Sequence, residues 1–166
     1  MSRSTKHLLR LLIFGAGWAL SLWVPSSARA EIPASELNAT RWVSQGAWLR
    51  TKLELMGVSL SYPAYRVVVG LDDRSRVHFE FLVHAPIAEH LRESGRDETA
   101  KIFRYHAEGI QNRVADLLRE EFADLWALYD DRQDFAGVFY VPGGEFDSAP
   151  RKIAEWTDKR IVWPDK

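Results

Sequence analysis

Residues 66–84 constrain the fold more than any other stretch of this chain. Arg66-Val67-Val68-Val69-Gly70-Leu71 leads into the turn-forming run Asp72-Asp73-Arg74-Ser75, and Arg76 to His84 follows. That pattern predicts a β-hairpin. In its second arm Val77, Phe79, Phe81 and Val83 alternate with His78, Glu80, Leu82 and His84. A period of two with one apolar side predicts an antiparallel sheet covered on one face. Some other part of the chain must supply the cover.

The candidate is a long amphipathic helix. Phe103, Ala107, Ile110, Val114, Leu117, Leu118, Phe122, Leu125 and Tyr129 keep helical spacing, which predicts one helix capped by Asp97 and running to Tyr129. Glu98 suits its first turn, and Asp130-Asp131-Arg132 closes it. Before it, Pro86 opens a short helix reaching Glu93, with Gly95 as its stop. Phe135 to Val141 reads as a strand ended by Pro142-Gly143-Gly144; the tail is ambiguous, and tryptophans and β-branched residues favour 152–156 with 160–163 as a closing hairpin over a helix from Ser148. A short helix capped by Ser35, with Trp42 and Val43 on its apolar side, is expected in 31–46. Residues 47–61 are ambiguous: Leu49, Leu53 and Met56 are spaced for a helix, whereas Leu53 and Leu55 alternate with Lys52 and Glu54. A strand bulged at Gly57 reconciles the two phases and is the expectation here. Strands, then helices, then strands make an α+β domain, an antiparallel β-sheet with a long amphipathic helix packed across one face.

The amino terminus is read separately. Arg3, Lys6 and Arg10 precede an apolar run of 14 residues from Leu11 to Val24, and Ala28-Arg29-Ala30 offers a small-x-small cleavage site before Glu31. This is the order of a secretory signal peptide, with a run shorter than the roughly 20 residues a membrane span needs. Residues 1–30 are therefore expected to be a cleavable signal and 31–166 a single domain with no stable membrane span. Four of the 22 Lys+Arg (Arg3, Lys6, Arg10, Arg29) lie in the signal, against none of the 23 Asp+Glu. The mature domain then carries 18 bases and 23 acids, a net charge of −5. That balance speaks against nucleic acid as a partner. The chain has no cysteine, which excludes thiol chemistry, cysteine-held zinc and covalently attached haem. An exported domain without disulfides points to the bacterial periplasm first and the extracellular space second.

No motif carries a recognisable chemistry. There is no Gly-x-Ser-x-Gly elbow, no Walker pattern and no Gly-x-Gly-x-x-Gly, so no catalytic residue and no cofactor is assigned. His78, Glu80 and His84 share one side of a strand, but His78 and His84 stand roughly 20 Å apart at ~3.3 Å per residue, too far for one ion. No metal site is assigned. His90 and His106 lie on the two helices. The acid pairs Asp72-Asp73, Glu120-Glu121 and Asp130-Asp131 suit solvated turns and helix faces better than paired catalysis. Glu121 stands out because it lies four residues from both Leu117 and Leu125, beside the apolar stripe. It is either a rim residue paired with a base or a carboxylate lining a pocket.

Aromatic residues supply the remaining candidates. Trp18 and Trp23 leave with the signal, and Trp42, Trp48, Trp126, Trp156 and Trp163 stay. Tryptophan serves cores and recognition surfaces alike. The weak ligand-binding candidates are Glu121, Trp126, Tyr129, Trp48 and His106. The function expected is a non-catalytic binding or accessory protein of the bacterial cell envelope, holding a small apolar or aromatic ligand or an envelope protein partner. The alternatives are a structural module that forms a homodimer through the long helix, and a hydrolase built on carboxylate and histidine.

Overall fold

A computed structural model describes residues 34–143 and 149–164. The expected signal and Gly144 lie outside the described residues. The elements are α1 (Ala34–Ser44), α2 (Gly46–Leu60), β1 (Tyr65–Leu71), β2 (Val77–Val83), α3 (Ala85–Glu93), α4 (Gly95–Glu121), α5 (Ala123–Trp126), β3 (Phe135–Val141), β4 (Arg151–Thr157) and β5 (Arg160–Val162). The five strands form one sheet in chain order, β1-β2-β3-β4-β5. The α+β class holds, with the long helix α4 packed against a mostly antiparallel sheet.

The β1–β2 hairpin pairs in the expected phase, Val67 opposite Phe81 and Val69 opposite Phe79. Its turn is locked by Asp72, whose Oδ1 accepts from the Arg74 and Arg76 amides at 2.9 and 2.8 Å. The Arg76 guanidinium closes on the other oxygen at 2.8 Å. The closing hairpin also forms, β4 turning into β5 through Asp158 and Lys159 at φ 47° and 58°, the backbone of a two-residue turn that matches strand twist.

One pairing departs from the expected antiparallel sheet. β2 and β3 are parallel, with Val77 opposite Phe135 and Phe81 opposite Phe139. The cause is the helical layer between them. α3, α4 and α5 carry the chain away from the far end of β2 and return it to the near end, where the Val77 amide meets the Asp134 carbonyl at 2.8 Å. A strand re-entering at the end where its neighbour began runs parallel to it.

Residues 46–60 are a helix, not the expected bulged strand. Leu49, Leu53 and Gly57 are buried four residues apart on one face, while Leu55, whose alternation suggested a strand, is 62 % exposed. Gly57 shows why the helix wins. A Cβ there would lie 2.9 Å from Val69 N and 3.1 Å from Val67 O, so the glycine lets α2 press directly on the β1 backbone. The end of α2 then closes the sheet edge. Ser61 Oγ accepts from Val67 N at 2.8 Å, and Tyr62 and Tyr65 exchange backbone hydrogen bonds of 3.0 Å. An edge strand satisfied by its own helix offers little template for another chain.

Three helix boundaries also differ. α1 begins at Ala34, so Ser35 lies within it rather than capping it; Trp42 is buried but Val43 is exposed. Asp97 sits in the first turn of α4 instead of capping it, where its charge still favours the helix dipole. α4 stops at Glu121 rather than Tyr129, with Phe122 at φ −134°, ψ 54°. The apolar stripe continues across this break, since Phe122 and Leu125 are buried on either side, so periodicity could not reveal it. The turn lets the chain double back and set Tyr129 edge-on to Trp42 of α1 at 6.2 Å. Gly95, at φ 75°, ends α3 as expected.

The core lies between the helices and one sheet face: Val67 and Val69, Phe79 and Phe81, Phe135 and Phe139, Ala154 and Trp156. Phe103 of α4 stacks on Phe139 at 4.1 Å and 7°. In the parallel seam Phe79 lies across Gly137; a Cβ on that glycine would fall 2.0 Å from the ring. Phe79 cannot retreat, because Phe135 and Phe139 stand 5.5 and 5.4 Å away. Among the described residues no helix is long and apolar enough to cross a membrane.

Two glycine substitutions test this packing. Helix propensity alone would make Gly57→Ala stabilising by about 1 kcal/mol, but the close backbone reverses the sign. Gly57→Ala and Gly137→Ala should each destabilise by about 1–3 kcal/mol, read as a lower urea midpoint. An unchanged midpoint in both would mean that these close approaches are not needed.

Candidate functional site

The best-formed site lies where α4 crosses the start of β1. Tyr65, Val67 and Phe81 rise from the sheet on its helical side, and Tyr65 stacks on Phe81 at 4.7 Å and 25°. From above, α4 brings His106, which occupies the stripe between the buried residues Phe103, Ala107 and Ile110. Its ring stands 4.8 Å from Phe81 and 5.2 Å from Tyr65. Tyr62 extends the row, 5.3 Å from Tyr65, and Tyr105 meets His106 edge-on at 5.6 Å.

These rings separate two hollows. One, of about 380 Å³, opens between the end of α2 and α4 and is lined by Tyr62, Tyr65, Tyr105 and His106, with Glu108, Asn112 and Arg113 as polar groups. The other, of about 330 Å³, lies under α3 and is lined by Pro86, Ile87, His90 and Ile102. Tyr65, Phe81 and His106 belong to both. Each volume falls in the range of small-molecule pockets.

Electrostatics follow burial. Among the described residues no hydrogen bond or ion pair reaches the His106 ring. Desolvation among the aromatic rings pushes its pKa below the ordinary 6.5, because the imidazolium loses water and gains no counter-charge. Tyr65 is pushed up by burial first, then by Tyr62 and Tyr105. The neutral imidazole offers one donor and one acceptor in an otherwise apolar wall.

Of the sequence candidates, only His106 lines this site. Trp126 and Tyr129 stack on each other at 6.0 Å, and Arg119 lies over the Trp126 ring at 4.7 Å. Burial first, then the nearby Asp131, Asp134 and Asp130, raises the Tyr129 phenol far above its ordinary value, with Gln111 acting in the opposite direction. None of the hollows described here is lined by that pair. Trp48 is 58 % exposed, with the Lys52 ammonium 4.9 Å from its ring centre. Glu121 pairs with the same Lys52 at 2.9 Å on the surface, which is the rim arrangement. His78 and His84 lie at opposite ends of β2, and His84 is the residue before α3. Among the described residues no group of three metal-ligating side chains forms.

Sequence reasoning missed Tyr62, Tyr65 and Tyr105. The available signal was Tyr105, an aromatic off the helical stripe and 76 % exposed in the fold. No protein family matches the sequence, and no characterised protein or solved structure matches it at a significant level.

The depressed His106 pKa has a consequence for stability. A group whose folded pKa lies below its unfolded one contributes fully above the unfolded value, near 6.5, and that contribution is lost as pH falls through the folded value. His78, also lowered by burial, works in the same direction. The thermal midpoint should therefore fall between about pH 7 and pH 5, and His106→Phe should lessen that fall. Parallel pH profiles for the two proteins would remove His106 as a contributor.

Proposed function

We propose that residues 31–166 form a non-catalytic binding or accessory protein exported to the bacterial cell envelope, and that the groove at Tyr65 and His106 takes a small flat, apolar ligand. One observation carries this reading: the row Tyr62–Tyr65–Phe81–His106 presents aromatic faces and edges to an open hollow. Rings held by a sheet and a helix are pre-organised, so a flat ligand stacks on them with little ordering cost. Asn112 and Arg113 stand where a polar substituent of the ligand would emerge.

The chemical inventory supports binding over hydrolysis. Hydrolysis by histidine and carboxylate needs the two within hydrogen-bond reach. Here Glu121 is held by Lys52, and no carboxylate bonds to His106 among the described residues. A second reading has its own support. The outward face of α2 leaves Trp48, Leu55 and Val58 exposed, so self-association through α2, rather than through the long helix, is the alternative.

Native mass spectrometry of the protein purified from its own host addresses export and assembly together. The expected species is a monomer starting at Glu31 and carrying a small-molecule adduct. A chain retaining residues 1–30 would sink the export reading, and a dimer would favour the α2 interface. The groove is tested with the neutral fluorophore N-phenyl-1-naphthylamine. Saturable binding of one equivalent is expected, weakened about threefold to tenfold by Tyr62→Ala or Tyr105→Ala. Both side chains are exposed, so the variants should fold. Binding indifferent to both, or no binding, refutes the groove as the site.

A further inference from the structure

A third hollow, of about 200 Å³, lies at the corner between α3 and α4. Its apolar wall is Ala88 and Leu91 of α3, Val141 of β3 and Ile153 of β4, with Trp163 beside them. Three arginines from separate parts of the chain complete it: Arg92 near the end of α3, Arg96 in the first turn of α4, and Arg151 at the start of β4. No acidic side chain is among the described residues that line it. None of the three arginines forms an ion pair among the described residues. Arg96 rests over the Trp163 ring at 5.6 Å, which steadies one guanidinium at the hollow.

Three like charges gathered at one apolar hollow repel one another unless an anion joins them. The expected mature domain has a net charge of −5, so this gathering runs against the overall balance. Thr99 holds the corner rigid from beneath, its buried hydroxyl 2.7 Å from the Gly95 carbonyl and 3.2 Å from that of Leu91. We propose that this hollow binds a phosphate monoester carried on a small apolar body. The apolar body packs on Leu91, Ile153 and Trp163, and the phosphate meets the guanidinium groups. A phosphate monoester carries about 1.5 to 2 negative charges at neutral pH and accepts the forked geometry of arginine. It therefore answers three cations better than a single carboxylate. The small volume admits a group of about ring size, with the remainder of any larger ligand outside.

Isothermal titration of the full chain with phenyl phosphate tests the site, with benzyl alcohol as the uncharged control. Vesicles of phosphatidylcholine with and without phosphatidic acid test whether the phosphate belongs to a lipid. Saturable phenyl phosphate binding is expected, much weaker for benzyl alcohol and reduced about tenfold or more by each of Arg92→Gln, Arg96→Gln and Arg151→Gln. Arg50→Gln, at an exposed arginine that lines none of these hollows, should leave it unchanged. Phosphatidic-acid-dependent binding lost in the same variants, with weaker phenyl phosphate binding, would assign the phosphate to a lipid headgroup. All three arginines are exposed, and circular dichroism confirms that the variants fold. No saturable binding of either phosphate, or binding indifferent to all three substitutions, overturns the proposal.

Discussion

The contact on which the rest of this domain depends is Phe79 lying across Gly137. It sits in the parallel seam between β2 and β3, where the β1–β2 hairpin is joined to the antiparallel strands β3, β4 and β5. A parallel junction has no tight turn to hold its register, so side chains must do so. Phe79 fills the space a side chain on Gly137 would need, and it touches Phe135 and Phe139 on the neighbouring strand. Phe139 in turn stacks on Phe103 of α4. One run of rings thus joins the β1–β2 hairpin, β3 and the long helix, and a slip of one residue would turn those rings to the uncovered face.

The second constraint acts at the sheet edge. Because Gly57 admits α2 to the β1 backbone and Ser61 satisfies Val67, the end of α2 is held against the edge strand. A gap is left between α2 and α4 over the start of β1. Tyr62 and Tyr65, which belong to the connection that closes the edge, line that gap. The candidate groove is therefore a by-product of how the edge is protected, and the residues that finish the sheet are those that line it.

Several charged groups are occupied with structure. Asp72 organises a turn, Glu121 anchors Lys52 and Asp131 holds Lys159 at 2.6 Å. Among the described residues no carboxylate is hydrogen-bonded to the His106 ring, whereas aromatic rings surround it. That distribution favours recognition over bond-breaking, and it is why a binding role is proposed. The arginines at the α3–α4 corner form no ion pair among the described residues, and three of them meet at one hollow.

Local patterns determined much of the fold. Alternation in 77–83 marked which side of β2 is buried, and helical spacing marked the buried face of α4, because both follow from the geometry of a single element. The Asp72 turn and the Gly95 stop were legible for the same reason. Tertiary structure alone decided the parallel seam, the helix at 46–60 and the break at Phe122. In each case the deciding atoms are distant in sequence: a returning strand, the β1 backbone under Gly57, Trp42 opposite Tyr129. His106 was legible as a candidate from its place on the stripe. Its partners Tyr62, Tyr65 and Phe81 were not, nor was the meeting of Arg92, Arg96 and Arg151, because a site made by packing one element on another leaves no spacing in the chain to read.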